Sequence, residues 1–84
     1  MNLQGSATYL LMTQLDVGQR ARVLGFQSES EYNTQLQRLG VIAGTEFEVI
    51  RKAPLGDPIE IRLRGYSLAL RPREATAVLI QVIS

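Results

Sequence analysis

A small, mainly β barrel is the fold class that this 84-residue chain predicts, and three observations carry that prediction. From Gly44 onward, apolar and polar residues alternate with period two over several short runs, the mark of strands with one buried face. Those runs recur at about ten-residue spacing and are joined by Gly and Pro turns, as in small antiparallel barrels. Only one segment, ahead of them, has helical periodicity. The expected architecture is therefore a small α+β domain of five to six strands with one helix inserted after the first strand.

Residues 1–11 carry no clear period and read as an N-terminal extension, with Met12 offering a second start and residues 12–84 forming the domain. Asp16 to Gly18 reads as a turn. Arg20 to Phe26 then reads as a strand with Ala21 and Val23 on one face, and Gly25 breaks the alternation as a bulge that returns Phe26 inward. In "SESEYNTQLQRLG", Ser28 followed by Glu31 fits a capping box. Tyr32, Leu36 and Leu39 lie at i, i+4 and i+7, one face of a helix. Gly40 is placed to end that helix in a left-handed conformation, with Val41 packing back on the last turn.

The remaining strands are legible from their faces. In "TEFEVIR", Phe47 and Val49 oppose Glu46, Glu48 and Ile50; in "PIEIRLR", Ile59, Ile61 and Leu63 oppose Glu60, Arg62 and Arg64. Gly65 suits a tight hairpin turn, and "YSLALR" sets Tyr66, Leu68 and Leu70 on one face. Pro72 halts that strand and opens a short helical turn to Ala77. "VLIQVIS" closes the chain with Val78, Ile80 and Val82 alternating. One core of Phe47, Val49, Ile61, Leu68, Leu70 and Ile80 follows, with Leu36 and Leu39 on its edge.

Composition narrows the chemistry. A chain of this length buries roughly 60% of its extended surface, enough for one modest core. It has 45% hydrophobic and 20% charged residues, ordinary globular values. With no cysteine and no histidine, it offers neither a disulfide framework nor a zinc site built on thiolates or imidazoles. A reducing cytoplasm is the expected location, since no basic-then-apolar leader opens the chain and Tyr9 to Met12 is too short to span a bilayer. The formal charge of +1 favours neither nucleic acid nor membrane, although six of the nine cations (Arg51, Lys52, Arg62, Arg64, Arg71, Arg73) fall in the second half.

No catalytic constellation stands out. The carboxylates (Asp16, Glu29, Glu31, Glu46, Glu48, Asp57, Glu60, Glu74) show no spacing that pairs two in a pocket. "LGVIAG" lacks the lysine and serine of a phosphate-binding loop. First-row transition metals prefer imidazole or thiolate alongside carboxylate, and only oxygen ligands are present, with Glu46 and Glu48 on one strand face the candidates for weak coordination. The expectation is no enzyme, no cofactor and no resident metal. A nucleic-acid interface needs a denser positive field and stacking aromatics, and of the five aromatics present (Tyr9, Phe26, Tyr32, Phe47 and Tyr66) several are expected in the core.

The stretch "QRLGVIAGTEFEVIRKAPLGDPIEIRLRGYSLALRPREA" resembles the ferrous-iron-transport protein A (FeoA) family. The likeness rests on Leu39-Gly40-Val41, Gly44, Ala53 to Pro58, Gly65, Leu68 to Arg71 and Glu74-Ala75, and runs from about Leu15 to Val82. Its specific part is the Ala-Pro-Leu-Gly-Asp-Pro sequence; Ala43 stands where the family commonly has proline. The resemblance implies an SH3-like β-barrel. It also implies a small cytoplasmic accessory of the bacterial ferrous-iron transporter FeoB, a membrane protein with a G-protein domain. A related domain is appended to iron-dependent repressors, so an SH3-like regulatory or nucleic-acid-associated module outside iron uptake stays open, as does self-association.

Within that framework the loop at residues 53–58 is the candidate partner-binding element. Pro54 and Pro58 fix φ and donate no main-chain hydrogen bond, Gly56 permits positive φ, and Asp57 can bond its own neighbouring backbone. Such a loop loses little entropy when something docks on it. Leu55 has two readings: a plug folded back into an open barrel end, or an apolar anchor for a partner. The docking expectation groups Pro54, Leu55, Gly56 and Asp57 with Arg64, taken to lie nearby as a complementary charge. On the exposed strand faces, Glu60, Arg62 and Arg64, joined by Arg51, Arg71 and Arg73, read either as a solvated surface or as a patch for an acidic segment or phosphate.

Overall fold

The computed structural model describes residues 9–27 and 31–83. Six antiparallel strands follow one another as β1 (Tyr9–Leu11), β2 (Arg20–Phe26), β3 (Glu46–Lys52), β4 (Ile59–Leu63), β5 (Tyr66–Leu70) and β6 (Val78–Val82). Helix α1 (Glu31–Arg38) lies between β2 and β3, and the single turn α2 (Pro72–Ala75) between β5 and β6. The sheet order is β1-β6-β2-β3-β4-β5. The two consecutive hairpins β3–β4 and β4–β5 cannot by themselves bring the ends of such a sheet round a core. Two bulges bend it, one between Val23 and Gly25 of β2 and one between Val49 and Arg51 of β3. The result is the small barrel with a helical insertion that the periodicity predicts, the helix following β2 because a further strand precedes it.

Residues 9–11 lie inside the stretch that reads as an extension, yet they pair with Leu79 to Gln81 of β6. Three residues are too few to display a period. Directly after them, a 3-10 turn at Met12–Gln14 carries Met12 into the core, and Leu15 follows it. The Nζ of Lys52 holds this segment in place by donating to the carbonyls of Thr13 (3.3 Å) and Leu15 (2.9 Å).

The core contains Phe47, Val49, Ile61, Leu70, Ile80 and Leu36, as the alternation predicts, together with Met12, Leu15, Ala21, Val23, Val41, Ile59, Leu63, Ala75 and Val78. Two expected members differ. Leu68 is only partly buried, because β5 is the last strand of the sheet and has a neighbour on one side alone. Leu39 is 37% exposed. The helix ends at Arg38 and the chain reverses at Gly40, whose φ is +102°. Gly40 N–H donates to Gln37 O and Val41 N–H to Leu36 O, a Schellman closure that returns Val41 to the core and turns Leu39 away. The buried Thr45 hydroxyl donates to the Gly40 carbonyl at 3.0 Å and fixes the same corner. Ser28, the expected capping residue of α1, lies outside the described residues.

Candidate functional site

The β3–β4 connection is built from residues that stiffen it. Ala53 N–H donates to Pro58 O and Gly56 N–H to Ala53 O, at 3.1 and 2.7 Å, so the loop closes on itself at its base. Gly56 has φ of +79° and the Asp57–Pro58 peptide is cis. Neither proline N can donate, and the chain at the tip has nowhere to turn inward. Leu55 is accordingly thrust into solvent at 95% exposure, more than any other large apolar residue among those described. The plug reading of Leu55 is thereby excluded: its side chain stands in solvent, and the loop closes on its own backbone.

Two shallow depressions flank the loop. One, of about 240 Å³, is lined by Arg51, Lys52, Ala53, Pro54, Pro58 and Glu60. The other, of about 340 Å³, is lined by Asp57, Arg71, Pro72 and Arg73. Asp57 meets Arg71 at 3.8 Å, an exposed pair that orients the loop more than it stabilises it. Arg71 follows β5 directly and its N–H is capped by the Glu74 Oε1 at 2.8 Å, so the guanidinium is carried on a fixed backbone. Arg73 stands over the Tyr32 ring, 5.8 Å from its centroid. Along the chain Arg71 is one of several cations, with nothing local to place it beside this loop. The register Ile59↔Leu70 brings the two ends together, and one residue beyond that pair reaches the loop.

Arg64 is elsewhere. It occupies the two-residue turn between Leu63 and Tyr66, at the opposite end of β4 from Leu55. Five strand residues separate the two ends, about 16 Å of rise. The expected adjacency of Leu55 and Arg64 is therefore corrected: two successive hairpins leave their turns at opposite ends of the shared strand, and Arg71 takes the place assigned to Arg64. Gly56 and Asp57 do belong with Leu55, in one rigid loop.

The charged outer faces are largely self-neutralising. Glu46 receives Arg22 at 2.9 Å and Arg20 at 3.6 Å. Across the sheet, Glu48 lies opposite Arg62 and Arg51 opposite Glu60. That alternation suits a solvated surface rather than an electropositive patch. Glu46, one of the two weak metal-ligand candidates, is thus held by two guanidinium groups. Among the described residues, no three acidic, histidine or cysteine side chains converge on a common point, and no helix is long and apolar enough to cross a membrane.

Comparisons with known proteins agree with this architecture. A FeoA-like protein from Clostridium acetobutylicum superposes with a TM-score of 0.85 and 36% identity over 93% of this chain and 91% of that one. FeoA of Stenotrophomonas maltophilia, a structure containing zinc and described as an SH3 domain protein, gives a TM-score of 0.75 at 25% identity, covering 86% and 89% of the two chains. A fusion of Fe(2+) transport protein A with the Fe(2+) transporter FeoB, from Porphyromonas gingivalis, is 25% identical over 73 residues. That match takes in 87% of this chain but only 9% of the fusion protein's length. The FeoA domain model matches residues 10–82, β1 included except for its first residue, and on that span the chain belongs to the FeoA family.

Proposed function

We propose that this protein is a cytoplasmic accessory of ferrous-iron uptake that docks on the cytoplasmic part of a FeoB-type transporter and regulates its assembly or nucleotide cycle. Docking runs through Pro54, Leu55, Gly56 and Asp57, with Arg71 supplying charge at the rim. The carrying observation is the exposure of Leu55 on a loop that has no freedom to bury it. An exposed leucine on a flexible loop would have to be ordered on binding; here that cost is met in advance by the loop's own hydrogen bonds. The fusion of a related domain to FeoB in Porphyromonas gingivalis supports the same pairing, since joining two modules in one chain raises their effective concentration for each other. The role is binding rather than catalysis, because the loop presents one apolar side chain and a rim of charge without a paired acid and base.

The experiment is a joint measurement of melting temperature and affinity for the cytoplasmic part of the cognate transporter. Leu55→Ser weakens binding by about 1–3 kcal/mol, the range of a modest interface anchor, and leaves the melt unchanged. Arg71→Glu mainly slows association and alters its salt dependence, as rim charges do. Undiminished affinity of Leu55→Ser would reject docking through this loop. Nucleotide hydrolysis by the transporter with and without the protein then reports whether docking regulates the cycle.

A further inference from the structure

We propose that the outer edge of β5 is a self-pairing surface through which two copies of this chain form a twofold dimer, with β5 antiparallel to its own counterpart. This is independent of the docking loop. Strand β5 has β4 as its only strand neighbour, and among the described residues no backbone bond from elsewhere reaches Tyr66 to Leu70. Edge strands ordinarily carry lysine, proline or another charge that blocks pairing; Tyr-Ser-Leu-Ala-Leu has none.

The register of β4 and β5 determines which groups face outward. Arg64 and Gly65 both have positive φ, at +52° and +87°, and close a two-residue turn between Leu63 and Tyr66. In such a hairpin the closing pair is hydrogen-bonded, as are the pairs two and four residues on, Ile61↔Leu68 and Ile59↔Leu70. Ser67 and Ala69 therefore point their N–H and C=O groups away from β4, and both residues are exposed. A twofold axis through Leu68 sets Ser67 opposite the second copy's Ala69 and Ala69 opposite its Ser67, satisfying all of these outward groups. Leu68, left half-exposed in the single chain, then meets the Leu68 of the second copy.

Charge selects this register over its neighbours. Arg62 lies beside Ser67 and Glu60 beside Ala69 on the outer face. Centred on Leu68, each row across the two sheets reads Arg62, Ser67, then the second copy's Ala69 and Glu60. Opposite charges end each row, about 14 Å apart at the backbone, and can lean together over two small side chains. Glu60 and Arg62 stand across the β3–β4 ladder from Arg51 and Glu48, yet neither closes an ion pair within its own chain among the described residues, so both can turn toward a second copy. Centring on Ser67 would put Arg62 at both ends of a row, and centring on Ala69 would put Glu60 at both. The second of these also requires the Arg71 N–H, already given to Glu74.

One short pair of edges buries less than the about 1,200 Å² of a standard interface, so the dimer is weak and concentration-dependent. Sedimentation equilibrium on the purified full chain, from about 10 µM to about 1 mM, spans the range in which so small an interface fills. The mean mass is expected to climb from one chain toward two. Ala69→Pro removes an outward N–H that β4 does not use; it is expected to stay monomeric while melting as the parent does at low concentration. Arg62→Glu is expected to loosen the dimer roughly tenfold, since the twofold counts each pair twice, and the double variant Arg62→Glu, Glu60→Arg to restore it. A parent chain that remains monomeric at the highest concentration overturns the proposal. So does a folded Ala69→Pro that dimerises normally, and so does a charge-swapped double variant that stays as loose as Arg62→Glu.

Discussion

The two turns that bracket β4 are built from opposite materials. The β4–β5 turn is two residues long, holds Arg64 in a left-handed conformation, and sits against Gly40 and the Tyr66 hydroxyl. The β3–β4 loop is six residues long, carries two prolines, closes its base with its own backbone bonds, meets the rest of the chain through the exposed Asp57–Arg71 pair, and lifts Leu55 into water. The short turn spends its residues on closing the barrel and is tied to the helix end. The long loop has been stiffened without being tied down. A segment made rigid without core contacts has its rigidity available for something outside the molecule, which is why the loop and not the turn is read as the docking element.

The largest expected effect tests the strand that joins these ends. Ile61 lies at its centre, fully buried, so Ile61→Ala should cost about 2–5 kcal/mol in chemical denaturation. Leu68, its partner across the ladder, is half-exposed and should cost distinctly less when truncated in the same way. Equal losses at the two positions would mean that β5 is not an edge. At the tied turn, Gly40→Ala should cost about 1–2 kcal/mol for the left-handed backbone alone. A further penalty arises because an added Cβ would stand 2.7 Å from the Tyr66 hydroxyl. Comparing Gly40→Ala in the parent and in Tyr66→Phe separates the two, and identical losses in both backgrounds would remove the hydroxyl contact from the account.

The smallest effect sharpens the contrast most. Arg64→Asn, at a position whose φ suits Asn better than Arg, should raise stability by about 0.5 kcal/mol and leave transporter binding untouched. A binding loss at Arg64 comparable to that at Leu55 would erase the functional difference between the two ends of β4.

How far the sequence alone reaches is clear from particular residues. The inward faces of β2, β3, β4 and β6 follow from period-two alternation, and the stop of α1 follows from Gly40 and Val41, because each depends on residues adjacent along the chain. The stiffness of the loop was legible in Pro54, Gly56 and Pro58 for the same reason. Where Leu55 points was not: an apolar residue on a rigid loop can plug a barrel or leave it, and the outcome depends on how residues distant in the chain pack beneath the loop. The company it keeps was equally hidden. Arg64 is nine residues from Leu55 and Arg71 sixteen, yet strand order puts Arg71 beside the loop and Arg64 a strand's length away. The exposure of Leu68 and the openness of the β5 edge belong to the same class. Periodicity states which side of a strand is apolar, whereas only the order of strands in the sheet decides which strand comes last and has one flank without a neighbour.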